Sequence, residues 1–301
     1  TIAQVQSLFE TEWITSAAVY LPNGQTPQHN ALLQNPALAK TWKRLIREAQ
    51  AASSDRSQQI EAVRQAFYQG FVAEAIDQFC RTQEVMDTSG ERNRGVLTGE
   101  DMARWSATYE EPMTLDYHGH TACKCGPWSQ GPVQLQTLAL LREVDLAGMA
   151  YDGSEFVHTI TEALKLAMAD REAYYGDPDF VKVPLDQLLS GSYNNERRKL
   201  IGPAASLELR PGTLPGWQIR LAEYPIETPE TSRIFSAMGV GEPTVQHSGA
   251  TAGDTCHIDV VDRWGNMVAG MPSGGWLQSS PVIPELGFCL NSRAQMFWLE
   301  E

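Results

Sequence analysis

Apolar positions along the chain change their period, and the changes mark out its elements. From Pro36 to about Gln50, "PALAKTWKRLIREAQ" repeats at helical spacing. Its proline falls in the first turn, where a missing N–H costs little. Residues 58–82 carry the same period through Ile60, Val63, Phe67, Phe71, Ala75 and Phe79. "TGEDMARW" predicts a helix start, with Thr98 as the cap and Asp101 three residues on. The stretch 154–176 is the clearest helix. Ser154 is its expected cap, Phe156, Ile160, Leu164 and Ala167 form its apolar stripe, and Gly176 is its stop. His158 lies beside that stripe and reads as a packing histidine rather than a ligand.

Elsewhere the period is two. A short alternating run at 17–21 precedes a Pro-Asn-Gly turn. "MTLDYHGHTACKCG" predicts a β-hairpin turning at His118-Gly119, and a Gly/Pro loop then enters a helix through "PVQLQTLALLREVD". Near the end come three strand-like runs, 256–262, 266–272 and 286–290. Between the helices and these strands, residues 202–254 are rich in Pro, Gly, Thr and Glu and have little periodicity, which predicts a flexible linker. The order of helices, hairpin, helices, linker and strands predicts α+β layers rather than a doubly wound parallel sheet.

Composition narrows the partners. Of 301 residues 42% are apolar, and no apolar run is long enough to span a bilayer. With 23 basic and 37 acidic residues the formal charge is −14, and no Lys/Arg stripe offers itself to phosphates, which argues against nucleic acid. The five cysteines are an odd, sparse set that points away from a disulfide framework and toward a reducing compartment, the cytoplasm. Cys123 and Cys125 form a C-x-C pair near His118 and His120. A structural role is the plainer reading, and a metal-dependent hydrolase built on these four residues is the alternative. The chain starts at Thr1 without a leader pattern and stops after "MFWLEE", so both ends read as cuts through a longer chain.

The chemistry concentrates at "GDTCHIDVVDRWGNMVAG". By residue type alone, Thr255 is a β-branched residue opening a strand. A threonine hydroxyl becomes a useful nucleophile only with a base in reach, and a free α-amine on the same residue can be that base. Such an amine has a reference pKa of about 7.7–8.0, so part of it is uncharged near neutrality. The arrangement requires the Asp254–Thr255 bond to break first.

Several segments in the same order resemble the γ-glutamyltransferase (γ-glutamyltranspeptidase) family of N-terminal-nucleophile hydrolases. "ADREAYYGDPDFVKVPLDQLL" resembles its large-subunit segment, and "DYHGHTACKCGPWSQGPVQLQTLALL" its hairpin, loop and helix. "DTCHIDVVDRWGNMV" resembles the start of its small subunit, and "GFCLNSRAQMFW" a later strand. The resemblance implies a four-layer αββα sandwich, carried here as a fragment of one structural domain. Residues 1–254 would be the C-terminal part of the large subunit, with 202–254 the linker before the cleavage point, and 255–301 the start of the small one. It further implies large and small subunits from one precursor, a dimer of heterodimers as one assembly, a small amide or γ-glutamyl substrate and no cofactor.

Carried over by position, Asp254 and Thr255 flank the cleaved bond, and Thr255 is the nucleophile. Ser273 matches a hydroxyl that hydrogen-bonds it, His257 a strand-packing histidine and Asn291 an asparagine near the site. The departures are as informative. Cys256 replaces the family's second threonine. An asparagine that holds the γ-glutamyl group falls at Gly275 or Trp276. The Gln and Asp that bind the substrate's α-amino group fall near Arg293 and Met296. A site that loses an ammonium acceptor and gains a guanidinium should favour a carboxylate without a neighbouring amine. "SGGWLQSSPVIPELGF" resembles the oxamate amidohydrolase-like group of the family. The pair Ser279-Ser280 comes too early to be the family's Ser-Ser motif. That motif, the Gly-Gly segment and a carboxylate-gripping arginine would lie outside residues 1–301, so this piece alone is expected to be inactive. A glutathione hydrolase and a non-catalytic binding subunit of the same fold remain the competing readings.

Overall fold

The computed structural model describes residues 2–87, 90–221, 257–271, 277 and 280–291. They fall into two compact units where the sequence predicts one domain, and each holds its own core.

The first unit takes the chain to Ser106 and includes the described residues from His257 onward. A 3-10 turn leads into α1 (Gln6–Thr11) and α2 (Ile14–Tyr20). The alternating run at 17–21 is therefore helical through Tyr20: Trp13 and Tyr20 each stack on Phe9, and that packing overrides the local period. Asn23, with φ of 58°, makes the expected turn at Pro22–Gly24. Asn35 then caps α3 (Pro36–Ala52), its side chain accepting from the Leu38 N–H at 2.9 Å. Asp55 does the same for α4 (Arg56–Tyr68). The long helical stretch read across 58–82 is broken at Gly70, which opens α5 (Phe71–Thr82). Strands β1 (Val85–Met86) and β2 (Arg92–Asn93) pair antiparallel, and the Trp13 indole donates to the Met86 carbonyl at 3.0 Å. The predicted capping box of Thr98 and Asp101 opens α6 (Gly99–Arg104).

The second unit begins with the predicted hairpin, β3 (Met113–Tyr117) against β4 (His120–Lys124), turning through His118 and Gly119, both at positive φ. Helix α7 (Gly131–Leu141) packs its buried Val133, Leu140 and Leu141 on α8 (Ser154–Tyr174) at Ala163, Leu166 and Ala167. Gly153, not Ser154, is the N-cap residue of α8, and no side chain caps it. The His158 imidazole meets the Gly202 carbonyl at 2.7 Å, which makes it the satisfied histidine the sequence predicts. Short helices α9 (Leu185–Leu188) and α10 (Gly191–Arg198) follow.

Residues 202–221 are irregular yet anchored, which corrects the reading of a free linker from residue 202 onward. Their partners are charged groups buried on α8 and α10. The Asp170 carboxylate, fully buried, accepts from the Gly212 N–H at 2.7 Å, Arg197 Nη2 at 3.0 Å and Gln136 Nε2 at 2.6 Å. Arg197 also donates to the Arg210 carbonyl at 2.5 Å, and Tyr174 Oη to the Gly212 carbonyl at 2.6 Å. Two turns earlier on α8, Glu162 accepts from Arg210 at 2.8 Å and from Lys165 at 2.5 Å. Lys165, then Ser206 and Arg210, hold the Glu162 carboxyl below the usual carboxylate range. That contribution is complete above the ordinary glutamate value of 4.5 and is lost as pH falls through the lower folded value.

The last strands are β5 (Ile258–Val261) and β6 (Met267–Gly270). The third predicted strand, 286–290, is instead a turn of chain closed by a single bridge between Ile283 and Phe288. The class is α+β, as expected. Among the described residues the strands form three two-stranded hairpins, not the extended double sheet of a complete four-layer sandwich.

Removing a partner from a buried ion pair leaves an uncompensated charge and costs about 3–5 kcal/mol. Asp170→Ala should therefore lower stability by about that amount. Urea unfolding followed by tryptophan fluorescence should show the drop, with residues 202–221 becoming open to protease.

Candidate active site

The site predicted from sequence has two arms, the hairpin that follows Thr255 and the segment between Gly275 and Arg293. Strand β5 pairs with β6 in the register Ile258 to Gly270, Asp259 to Ala269, Val260 to Val268 and Val261 to Met267. The connection is closed by one side chain. The Asp262 carboxylate accepts from the Trp264 N–H at 2.8 Å, the Asn266 N–H at 2.9 Å and Asn266 Nδ2 at 2.8 Å. Gly265 provides the positive φ of 84° that the turn requires. Donation from the Asn266 side chain, then from backbone N–H groups, holds the Asp262 carboxyl below its ordinary value of 3.8. The turn is therefore supported above that value and loosens as pH falls through the lower folded one. His257 does not pack into the strand as expected. It is exposed, and its Nε2 lies 2.8 Å from Asp259 Oδ1.

The second arm is a closed loop, residues 280–291. Ile283 and Leu286 are buried in the core beside Leu45, Val72 and Ile76, while Leu277 and Val282 join Phe9, Trp13 and Tyr20. A buried irregular backbone needs partners for its polar groups, and helices α2 and α3 supply them. Ser16 Oγ accepts from the Val282 N–H at 3.0 Å. Thr41 Oγ1 donates to the Leu286 carbonyl at 2.9 Å, and Asn35 Nδ2 to the Gly287 carbonyl at 2.6 Å. Gly287 lies so close to the start of α3 that a Cβ would collide with the Leu38 N–H and the Asn35 amide, and its φ is 79°. The ends of the loop meet at Ser280, whose Oγ donates to the Leu290 carbonyl and accepts from the Leu290 N–H, both at 2.9 Å. Burial pushes the adjacent Cys289 thiol up to about 11.

Of the predicted site residues, Asn291 lies at the end of this loop, exposed and next to Leu290. Asp254, Thr255, Ser273, Gly275 and Arg293 lie outside the described residues. The sequence reading missed Ser16, Asn35 and Thr41, small polar residues whose partners are about 250 positions away. The residues of the metal-site alternative do not converge: among the described residues no three His, Cys, Asp or Glu side chains form a cluster that could hold an ion. His120 alternates with Cys123 across strand β4, so the two face opposite sides. No described helix is long and apolar enough to cross a membrane.

A helical and hairpin frame ending in a small-subunit-like hairpin defines an α+β fold of the N-terminal-nucleophile hydrolase type. The chain belongs to the gamma-glutamyltranspeptidase family, whose model matches residues 1–301. It is 29% identical over 300 residues to a glutathione hydrolase proenzyme of Bacillus subtilis (strain 168), covering 98% of this chain and 44% of that protein. It is 29% identical over 202 residues to the acylase ACY 1 proenzyme of Pseudomonas sp. (strain SE83), covering 66% and 30%. A solved structure named LmbA2991HD superposes with a TM-score of 0.86 at 54% identity, over 100% of this chain and 48% of its own. The chain thus spans less than half the length of the relatives it matches.

A side chain at a φ near +84° costs about 1–3 kcal/mol in a non-glycine residue. Gly265→Val should weaken the β5–β6 hairpin accordingly, seen as faster hydrogen exchange at Val260 and Val268, which the register makes a hydrogen-bonded pair, with the core amides unchanged.

Proposed function

We propose that the whole protein is an autoprocessed threonine amidohydrolase. The precursor breaks its own chain between Asp254 and Thr255, giving a large subunit ending at 254 and a small one starting at 255. The freed amine of Thr255 takes the proton from its own Oγ, and the alkoxide attacks an amide carbonyl. The protonated amine passes that proton to the leaving nitrogen, and ammonia or an amine departs. Water then hydrolyses the acyl ester on Thr255 by the reverse sequence of proton transfers. Ser273 supports the nucleophile through its hydroxyl. Asn291, Arg293 and the backbone at Gly275 hold the substrate. Arg293 stands where an ammonium-binding residue would be expected, so the preferred substrate is a small amide bearing a carboxylate, of the oxamate type.

The observation that carries this reading is the family match over residues 1–301, with relatives named as proenzymes and a threonine three residues ahead of β5 in the sequence. A second reading, glutathione or γ-glutamyl hydrolysis, is favoured by the name of the Bacillus subtilis relative. The odd, sparse set of five cysteines supports the cytoplasm as the compartment.

On a denaturing gel the full-length protein should run as two fragments, and Thr255→Ala should run as one and release no product. Ammonia release from oxamate, with slow cleavage of a γ-glutamyl anilide, supports the amidohydrolase reading. The opposite preference establishes the γ-glutamyl reading.

A further inference from the structure

Cys123 and Cys125 have no part in the reading above, and the structure gives them no packing role. A structural cysteine is buried as a small hydrophobe, whereas both of these thiols are free and exposed. Exposure alternates along this stretch. Ala122 and Lys124 are half-buried, Ala122 against Leu115, Leu135 and Ala139, and Gly126 is buried. Cys123 and Cys125 fall between them, so both stand on the solvent side of the hairpin. Their backbones are held. Cys123 pairs with Thr114 in the β3–β4 ladder. Cys125 lies against the first residue of α7, where a Cβ on Gly131 would fall 2.5 Å from the Cys125 carbonyl oxygen and 3.1 Å from its nitrogen.

This spacing decides what the two sulfurs can share. Two extended residues advance the chain by about 6.6 Å. Side chains leaving in parallel at that distance exceed the Cβ separation of a disulfide, about 3.5–4.5 Å. The close approach of Gly131 opposes the backbone shift that would bring them together. An ion between the sulfurs spans two metal–thiolate bonds of about 2.3 Å each, which the side chains reach without moving the backbone. The surroundings then limit which ion. Among the described residues no three His, Cys, Asp or Glu side chains form a cluster that could hold a metal. His120 alternates to the opposite face, and His118 is at the tip of the hairpin. Asp116 shares the face of Cys123, but it accepts from Thr121 Oγ1 at 2.7 Å and offers only hard oxygen. A structural zinc ion takes four donors. Two thiolates alone suit a soft monovalent ion.

We propose that Cys123 and Cys125 form a two-thiolate site for Cu(I) on the outer face of the β3–β4 hairpin. On binding, each thiol gives up its proton and each sulfur donates a lone pair to the ion, with no electron transferred. The test titrates Cu(I) into the reduced full-length protein in the absence of oxygen, with bicinchoninate as the competing chelator. The chain should take up a single equivalent, and the bound ion should shield Cys123 and Cys125 from iodoacetamide, read by peptide mass. Cys123→Ser and Cys125→Ser should each bind at least about 100-fold more weakly, beyond the cost of losing an outer-shell partner. Cys256→Ser, which removes a different thiol, should bind as the unaltered chain does. The proposal is overturned if both cysteines are alkylated equally with and without the ion, or if either of the first two variants keeps full uptake. Loss of the ion in Cys256→Ser, or its displacement by an equal concentration of Zn²⁺, also overturns it. Should a serine variant not fold, the shielding measurement on the unaltered protein decides alone.

Discussion

Buried irregular backbone has to find a partner for every N–H and carbonyl, and that requirement shapes both units of this chain. Helices satisfy their own polar groups, and loops cannot. In the first unit, residues 280–291 enter the core at Ile283 and Leu286, and hydroxyl and amide groups of Ser16, Asn35 and Thr41 meet the backbone that these residues carry inside. In the second unit the same need is met with charge. Asp170 and Glu162 take the Gly212 and Ser206 N–H groups, and Arg197 takes the Arg210 carbonyl. Neutral partners suit the first case, where the loop is short and fixed at many points. Paired charges suit the second, where one carboxylate must hold a backbone amide, an arginine and a glutamine at once.

Residues 202–221 are fastened to α8 and α10 within the second unit. Residues 280–291 are fastened to Ser16, Asn35 and Thr41, at least 245 positions earlier, so in the proposed precursor these hydrogen bonds join the segment after the Asp254–Thr255 bond to the segment before it and do not depend on that bond.

Elements with local signals were legible in the sequence, and those set by distant partners were not. The Pro36 start, the Thr98–Asp101 box and the His118-Gly119 turn are chemistry within four residues, and each is found where it was read. The run at 17–21 has the period of a strand but lies in α2 through Tyr20, because Tyr20 has Phe9 to stack on in a core it shares with Trp13. Residues 286–290 look like a strand by composition, yet the Leu286 and Gly287 carbonyls are taken by the Thr41 and Asn35 side chains rather than by a neighbouring strand. Residues 202–221 have no period because charges on α8 and α10, not apolar spacing, hold them. The site was legible only through resemblance. Thr255 in isolation is an ordinary strand residue, and nothing local marks Ser280 as the partner of Leu290.

All of the proposed catalysis requires a free amine on Thr255. The most direct measurement is the mass and N-terminal residue of the smaller fragment of the full-length protein, taken alongside its turnover number. A fragment beginning at Thr255, appearing in step with activity, is the predicted result. Full turnover by a chain whose 254–255 peptide bond is still intact would contradict the account.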